Sequence, residues 1–542
     1  MEHSVSANDQ VQHQLDAVII GAGFSGMYQM HCLRDRLGLS VLGLEMADGV
    51  GGTWYWNRYP GARCDSESHS YSYYFSEELL KTWTWSERYP GYAEILRYLN
   101  FVADRYDLKR SFKFKTKVVS AHYDEAANCW EVCTDDGTRY RTRFLISAVG
   151  NLSSANIPTI PGLEQFKGKW YHTGQWPHEG VDFSGLRVGV VGTGSTGIQA
   201  IPVIAEQAKT LTVFQRTANY SIPAHNGPLD DAFKAYCKER PEEIRAIMHA
   251  TPNGHPFYIS ETLALSRSEE ERRTIYEKAW EKGGLRFRAS FKDLLSSETA
   301  NQTAAEFIKQ KIRETVKDPR KAQLLSDIDH PFAAKRPPID TNYFETYNLD
   351  HVDLVNIRED PITSIVNTGI QTKNALFELD AIVFATGFDA MTRPVLNLNL
   401  KGRHGQKLED AWHAGPLNYL GLQVPGFPNF FMVTGPGSPG VLVNMPVAIE
   451  QHVEWISDCI AHMRAKDLHH VEAQAQASAQ WMQEVNQAAA ATLLPKAKHS
   501  WYLGANIPGK PRVFMPYAGG MAHYRKRCET ITANGYEGFL MA

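Results

Sequence analysis

The stretch AVIIGAGFSG, residues 17–26, decides the fold. Its first four residues are all apolar and predict a buried strand, and the apolar spacing of MYQMHCL, residues 27–33, predicts a helix. The three glycines between them have the GxGxxG spacing. A second apolar segment, SVLGLE at 40–45, completes a strand–helix–strand unit. In this context the glycine spacing predicts a dinucleotide site, because the turn brings the helix N-terminus close to a pyrophosphate.

A second copy of the same plan begins at VGVVGTGSTG, residues 188–197. The apolar residues that follow have helical spacing, and LTVFQRT at 211–217 supplies the next strand. The sequence therefore predicts an α/β protein with two Rossmann-like dinucleotide-binding domains.

The residue at the end of each second strand distinguishes the two nucleotides. Glu45 lies 24 positions after Gly21, and Arg216 lies 24 positions after Gly192. A carboxylate accepts hydrogen bonds from a ribose diol and repels a 2′-phosphate, whereas an arginine helped by the Thr217 hydroxyl suits that phosphate. The first site is predicted to bind FAD and the second NADPH. The predicted FAD contacts of the first turn are Gly21, Gly23, Phe24, Ser25, Gly26 and Glu45. The predicted NADPH contacts are Gly192, Thr193, Gly194, Ser195, Thr196, Gly197, Gln199, Arg216 and Thr217.

The domain organisation follows from these two units. Between residues 223 and 330 charged residues become frequent, and Ile308, Ile312 and Val316 recur every four positions, which predicts a helical insertion in the NADPH domain. The Ala/Gln-rich stretch 472–493 predicts a solvent-facing helix. The predicted division is 1–150 and 388–542 for the two parts of the FAD domain, 151–222 and 331–387 for those of the NADPH domain, and 223–330 for the insertion. The second FAD part is expected to carry a mobile C-terminal loop.

Composition excludes several classes of protein. The 542 residues carry a net charge of −4, so the chain lacks the excess of positive charge that is typical of proteins binding nucleic acid or an anionic membrane. No apolar run approaches the roughly 20 residues that span a bilayer. The seven cysteines include no CxxC pair, so we expect no structural metal centre and a reducing, cytoplasmic location.

The segment GGTWYWNRYPGARCD, residues 51–65, is unusually rich in glycine and aromatic residues. Glycines let a backbone lie close to a flat ring, and aromatic side chains exclude water from it. We therefore predict that this segment, including Thr53 and Trp54, contacts the flavin.

Three motifs together carry a family resemblance. FKGKWYHTGQWP at 166–177 has the pattern FxGxxxHxxxWP, and it accompanies the 51–65 segment and DAIVFATGF at 380–388. The chain closely resembles the flavin-dependent Baeyer–Villiger monooxygenases from about residue 15 to its C-terminus. It is most similar to their phenylacetone monooxygenase branch through three further motifs: KRPPIDTNYFETYN (335–348), GPGSPGVLVNM (435–445) and WYLGANIPGKPRVF (501–514).

The resemblance implies oxidation of ketones to esters or lactones through a flavin C4a-peroxide, using NADPH and molecular oxygen, with possible sulfoxidation as a side activity. It makes Arg336 the key catalytic residue beside the flavin and Asp65 its carboxylate partner. It places Lys335, with Arg216, on the NADPH 2′-phosphate and Trp501 on the nicotinamide nucleotide. The remaining positions at which the family touches FAD are Tyr71, Val118 and Met445.

The chemistry supports a guanidinium at this position. An oxygen nucleophile must remain deprotonated to attack a carbonyl, and a permanently charged arginine stabilises an anion without giving up its own proton. His172 lies in the signature motif, yet no hydrolytic step requires a base, so we expect it to have a structural or domain-motion role.

Two other functions remain open from the sequence. One is an NADPH-dependent flavin monooxygenase that oxygenates sulfur or nitrogen, and the other is an FAD- and NADPH-binding sensor without catalysis. Retention of Arg336, Asp65 and Trp501 argues against the sensor. The sequence does not identify the ketone, and the expected assembly is a monomer or a weak homo-oligomer.

Overall fold

The structure is a computed structural model, and it describes residues 11–542. The first of its two large sheets is built around the strand Val11–Ile20. This strand pairs in parallel with Val41–Leu44 on one side and Arg139–Ser147 on the other. In spatial order the strands are Leu400–Lys401, Val118–Asp124, Cys129–Thr134, Arg139–Ser147, Val11–Ile20, Val41–Leu44 and Phe112–Lys113, with Phe430–Met432 also paired to Arg139–Ser147. Strands from both ends of the chain thus share one sheet.

The second large sheet is entirely parallel. In spatial order its strands are Val352–Asn356, Thr210–Gln215, Arg187–Val191, Ala381–Phe384 and Lys169–His172. Its central strands are almost fully buried, as expected for a parallel sheet covered on both faces. The prediction of two Rossmann-like α/β units is confirmed.

Smaller sheets and helices complete the molecule. The remaining strands are Ile222–Pro223, Ile339–Asp340, Ile362–Val366, Gly369–Thr372, Leu376–Glu378, Val471–Ala473 and Phe539–Met541. The α-helices are Phe24–Met30, Thr53–Trp56, Glu77–Thr82, Tyr92–Arg105, Ser195–Ala205, Asp231–Glu239, Pro241–Ala250, Glu269–Lys282, Glu298–Thr315, Pro319–Ser326, Tyr343–Thr346, Arg393–Leu396, Leu408–Ala411, Met445–Ala465, Ala475–Ala490 and Met521–Ala533.

The helical insertion packs onto the second sheet rather than forming a separate core. Ile308 and Ile312 on the helix Glu298–Thr315 belong to the same hydrophobic cluster as Val190 and Val213 of the second sheet. The predicted apolar stripe therefore belongs to the core that the insertion shares with the second sheet.

The prediction of a solvent-facing helix over 472–493 is wrong at its start and on one face. Glu472 lies in the strand Val471–Ala473, which pairs with Phe539–Met541 at the end of the chain. The helix is Ala475–Ala490, and it buries Trp481 to 1% exposure. Pairing with a segment about 70 residues away overrides the local helical composition.

Within residues 11–542, none of the helices combines the length and apolar character that a bilayer crossing requires. All seven cysteines are free thiols, and five of them are buried. The reducing location stays a prediction that these thiols are compatible with.

Candidate active site

The first glycine turn joins the strand Val11–Ile20 to the helix Phe24–Met30. Gly21 has φ +107°, and a Cβ there would lie 2.6 Å from the carbonyl oxygen of Ala148. A Cβ on Gly26 would meet the Gly21 carbonyl at 1.8 Å. Both positions therefore require glycine for the close approach of helix and strand.

Glu45 ties this turn to the neighbouring strand end. Its Oε2 accepts a hydrogen bond of 2.7 Å from the backbone N–H of Ala22, and its Oε1 accepts one of 2.7 Å from that of Ala47. The carboxylate is 6% exposed, and burial raises its pKa against these two hydrogen bonds. Each oxygen retains lone-pair capacity for a further donor such as a ribose hydroxyl.

The segment 51–65 lies directly over the first turn. The Cα of Gly52 is 3.3 Å from where a Cβ of Gly23 would be, so the two backbones are in contact. Trp54 donates from Nε1 to the Tyr71 hydroxyl at 3.2 Å, and the Tyr71 ring packs edge-on against Phe24 at 5.2 Å. The predicted flavin contacts Trp54, Tyr71 and Phe24 are thus assembled in one cluster.

The other predicted FAD contacts lie on several elements of the first unit. Ser25 is buried in the helix Phe24–Met30, and Thr53 begins the helix Thr53–Trp56. Val118 begins a strand of the first sheet and is buried in its core, while Met445 begins the helix Met445–Ala465.

The second glycine turn repeats the packing of the first. Gly192 has φ +113°, and a Cβ there would lie 2.5 Å from the carbonyl oxygen of Ala385. A Cβ on Gly197 would meet the Gly192 carbonyl at 2.3 Å. No atom lies within 4 Å of a Cβ built on Gly194, so the space in front of the helix Ser195–Ala205 is open. That space adjoins unpaired backbone N–H groups, which suit a pyrophosphate.

Two side chains predicted to contact the coenzyme, those of Thr193 and Gln199, form hydrogen bonds to protein groups. Thr193 donates to the carbonyl oxygen of Thr217 at 3.0 Å. Gln199 accepts from the Tyr59 hydroxyl at 2.7 Å and donates to the carbonyl of Arg63 at 3.1 Å. Gln199 therefore joins the second unit to the 51–65 segment of the first. Ser195 and Thr196 begin the helix Ser195–Ala205.

Three cations gather beyond the strand Thr210–Gln215. Arg216 is exposed, and Lys335 is half-buried close to it. Burial lowers the pKa of Lys335, Asp329 opposes that shift, and Arg216 and Arg358 add to it. Arg358 donates from Nη2 to the Thr217 hydroxyl at 3.0 Å and also pairs with Asp329. This concentration of positive charge suits a phosphate.

Arg358 was not predicted as a coenzyme contact, although its position just after a strand indicates one. The strand Val352–Asn356 pairs in parallel with Thr210–Gln215, and Asn356 lies opposite Gln215. Residues that follow parallel neighbouring strands meet at the same edge of the sheet, so Arg358 lies beside Thr217.

Arg336 and Asp65 meet between the two units. Arg336 Nε lies 3.6 Å from Asp65 Oδ2, with the two side chains 25% and 17% exposed. Among residues 11–542, Arg336 Nε and Asp65 Oδ1 are buried without a hydrogen-bond partner. Burial raises the pKa of Asp65, and the Arg336 guanidinium opposes that shift. The pair thus keeps donor and acceptor capacity for further groups.

A cleft that opens to solvent lies beside Arg336. Its walls include the apolar side chains of Ile259, Leu442 and Leu494. Tyr502 also lines it, and its hydroxyl accepts a 3.3 Å hydrogen bond from the backbone N–H of Arg336. The lining therefore suits an apolar molecule with one polar group at the guanidinium.

The predicted coenzyme residue Trp501 precedes Tyr502 in a short turn, Trp501–Leu503. Its ring is partly buried and packs 4.7 Å from the Tyr502 ring. Because the Tyr502 hydroxyl accepts a hydrogen bond from the Arg336 backbone, movement of this turn would shift the position of the Arg336 guanidinium.

The side chain of His172 is buried and bonded to the backbone. It ends the strand Lys169–His172, is almost fully buried, and accepts a 3.0 Å hydrogen bond at Nδ1 from the backbone N–H of Gly174. Burial lowers its pKa, so the neutral ring is favoured.

Comparison with known proteins agrees with these features. The flavin-binding monooxygenase-like family profile matches residues 15–227. A Baeyer–Villiger monooxygenase of Pseudooceanicola batsensis is 45% identical over 525 residues, covering 96% of this chain and 95% of that protein. A phenazine N-monooxygenase of Lysobacter antibioticus is 41% identical over 536 residues, covering 98% of each. The solved structure of an oxidised steroid monooxygenase bound to NADP superposes with a TM-score of 0.93 at 50% identity, covering 98% of this chain and 99% of that one.

Proposed function

The chain belongs to the family of FAD-containing Baeyer–Villiger monooxygenases, and we propose that it converts ketones to esters or lactones with Arg336 as the catalytic residue. The observation that carries the proposal is the Arg336–Asp65 pair, which joins the segments 51–65 and 335–348 and places Arg336 at the wall of a cleft with apolar lining. A ketone in that cleft would have its carbonyl oxygen at the guanidinium.

The residues present fit FAD at the first turn and NADPH at the second. The first turn offers Glu45 with free lone pairs and an aromatic cluster over the glycines. The second offers open space at Gly194 and the cations Arg216 and Lys335. When bound, FAD accepts the hydride of NADPH and activates molecular oxygen, so that one oxygen atom enters the C–C bond beside the carbonyl and the other leaves as water.

Arg336 stabilises negative charge in this reaction. An arginine guanidinium is a planar cation with five N–H donors, so it can donate hydrogen bonds to the oxyanion that develops on the ketone oxygen. Asp65 orients the guanidinium through the 3.6 Å ion pair. Pro337 and Pro338 restrict the backbone that follows, and Tyr502 holds the backbone N–H. Arg336 is therefore positioned from three sides.

The test is the replacement of Arg336 by alanine. Loss of one oxyanion donor lowers turnover by about 10²–10³-fold, so we expect ester formation to fall at least that far while FAD remains bound. Arg336→Lys should recover little, because an ammonium lacks the planar fork. The measurements are ester formed per NADPH consumed and FAD content after gel filtration. Arg110→Ala removes an exposed arginine of the first unit and serves as the control.

The outcome that would contradict the assignment is substantial ester formation by Arg336→Ala. Loss of FAD from that variant would instead show that Arg336 maintains the fold of the flavin site.

Oxygenation of nitrogen is the second candidate, because a phenazine N-monooxygenase is among the relatives. Attack by a nitrogen lone pair needs an electrophilic, protonated oxidant, whereas attack on a carbonyl needs an anionic one. Product analysis with a ketone and an aromatic N-heterocycle separates the two activities. Ester formation from the ketone supports the leading proposal, and an N-oxide alone would replace it.

The same proposal extends to location and assembly. Seven thiols without redox spacing support a reducing compartment, the cytoplasm, and we infer a monomer or weak homo-oligomer. Cell fractionation and light scattering of the purified holoenzyme test the two statements.

A further inference from the structure

Arg288 and Arg336 line the cleft, Arg286 lies in the same turn as Arg288, and the three arginines differ in their partners. Arg336 pairs with Asp65, and Arg286 donates from Nη2 to Glu67 at 2.9 Å. Arg288, two residues further on, lines the cleft, yet it forms no ion pair or side-chain hydrogen bond with any residue between 11 and 542. A guanidinium beside an apolar cleft without a carboxylate partner is costly unless a ligand supplies the anion.

The backbone fixes Arg288 at this position. It belongs to the short turn Gly284–Ala289, and the preceding Gly283 and Gly284 have φ of +66° and +69°. Arg286 in the same turn is anchored by Glu67, a buried carboxylate that also pairs with Arg88 at 2.7 Å. The turn is therefore held from one end while Arg288 stays unpaired at the cleft.

The charge around Arg288 is positive. Burial lowers its pKa, the Tyr502 phenol opposes that shift, and Arg336 adds to it as a like charge. His255 also lines the cleft, and burial holds its pKa well below the usual range, so it is neutral. Among the described residues that line the cleft, Arg288 and Arg336 carry charge and none is a carboxylate; Asp65 lies outside the lining and already pairs with Arg336.

On the basis of the function proposed above, we infer that Arg288 determines substrate specificity by binding the carboxylate of a ketone acid. The planar guanidinium matches a carboxylate with two parallel hydrogen bonds. Leu285 and Leu494 offer apolar contact for the carbon skeleton, and Arg336 takes the carbonyl at the other polar point of the cleft. The substrate carboxylate takes no part in the chemistry, so its contribution is to binding and orientation.

The kinetic test compares 3-oxocyclohexanecarboxylate with its methyl ester as substrates of the holoenzyme. In Arg288→Met, kcat/KM for the acid should fall roughly 10- to 150-fold, because a charge-assisted contact is lost. The value for the ester should change less than about twofold, since the ester carries no charge for Arg288 to bind. Arg288→Lys should recover part of the loss. Arg273→Met, an exposed arginine on the helix Glu269–Lys282, should leave both values unchanged.

A binding test uses the oxidised holoenzyme with NADP+ and needs no turnover. Calorimetry should give a Kd for the acid at least about tenfold higher in Arg288→Met than in the parent, with Arg288→Lys between them. Equal losses for acid and ester, or an unchanged Kd, would overturn the inference. A raised NADPH KM with equal losses for both ketones would assign Arg288 to the coenzyme instead.

The two proposals fail in different ways. If the parent oxidises both ketones without regard to charge, the family reaction stands and the role of Arg288 is refuted. If no ketone is oxidised but the acid binds the parent and not Arg288→Met in calorimetry, Arg288 is confirmed as a carboxylate-binding residue and the proposed reaction is refuted.

Discussion

The two glycine turns share a backbone plan and differ at the strand end beside them. Gly21 and Gly192 have φ of +107° and +113°. A Cβ built on either glycine would lie no more than 2.6 Å from a backbone carbonyl oxygen, so neither position has room for a side chain. Beside the first turn, Glu45 is buried and bonded to two backbone N–H groups. Beside the second, Arg216 is exposed and lies among further cations. The same fold thus carries a closed acidic end and an open basic end.

This difference separates structural from exchangeable binding. Glu45 already stabilises the polypeptide, so the nucleotide that contacts it completes a preformed network. Arg216 is exposed and forms no ion pair with residues 11–542, so its contribution to the stability of the fold is small. We infer that the first site suits a cofactor that stays bound and the second a coenzyme that is renewed in each cycle.

The largest expected effect is that of Glu45→Ala. It leaves the N–H groups of Ala22 and Ala47 buried without an acceptor, and each such group costs about 1–3 kcal/mol. The free energy of unfolding should fall by roughly 2–6 kcal/mol, and FAD should be lost on gel filtration. Urea unfolding and the FAD absorbance of the eluted protein measure both effects.

The control for Glu45 comes from the other strand end. Arg216→Ala should change the free energy of unfolding by less than about 0.5 kcal/mol, because the side chain is exposed. If Arg216→Ala destabilises the protein as much as Glu45→Ala does, the contrast between closed and open ends is wrong.

The next effect is on coenzyme choice. Arg216→Ala and Arg358→Ala should each raise the NADPH KM roughly 10- to 150-fold and leave the NADH KM nearly unchanged, since only NADPH carries the 2′-phosphate. Arg320→Ala removes an exposed arginine elsewhere in the same unit and should affect neither. Equal losses for both coenzymes would show that these arginines maintain structure instead.

The elements that the sequence predicted well are those whose information is local. The strand predicted within residues 40–45 is observed as Val41–Leu44, because a short apolar segment after a helix suffices to identify it. Both glycine turns were predicted for the same reason. The short strand at Glu472 was missed because its partner, Phe539–Met541, is distant in the sequence.

The parts of the site that were missed depend on packing between units. Arg288 lies in the helical insertion outside any motif, and only the folded chain shows that it lines the cleft beside Arg336. Gln199 was predicted as a coenzyme contact from its place after the glycine turn. Its bonds to Tyr59 and Arg63 show an additional role in joining the two units.

The smallest expected effect appears only in alkaline solution and concerns Lys335. Burial and the nearby Arg216 lower its pKa below the ordinary value, although Asp329 opposes the shift. Only the protonated ammonium binds the 2′-phosphate, so the NADPH KM should rise as the pH increases through this lowered pKa, while the NADH KM stays constant. Lys335→Arg keeps its charge over the whole range and should abolish the rise. A pH profile of both coenzymes measures the effect. The same alkaline rise in Lys335→Arg would mean that another group titrates, and the open basic end would then depend on the arginines alone.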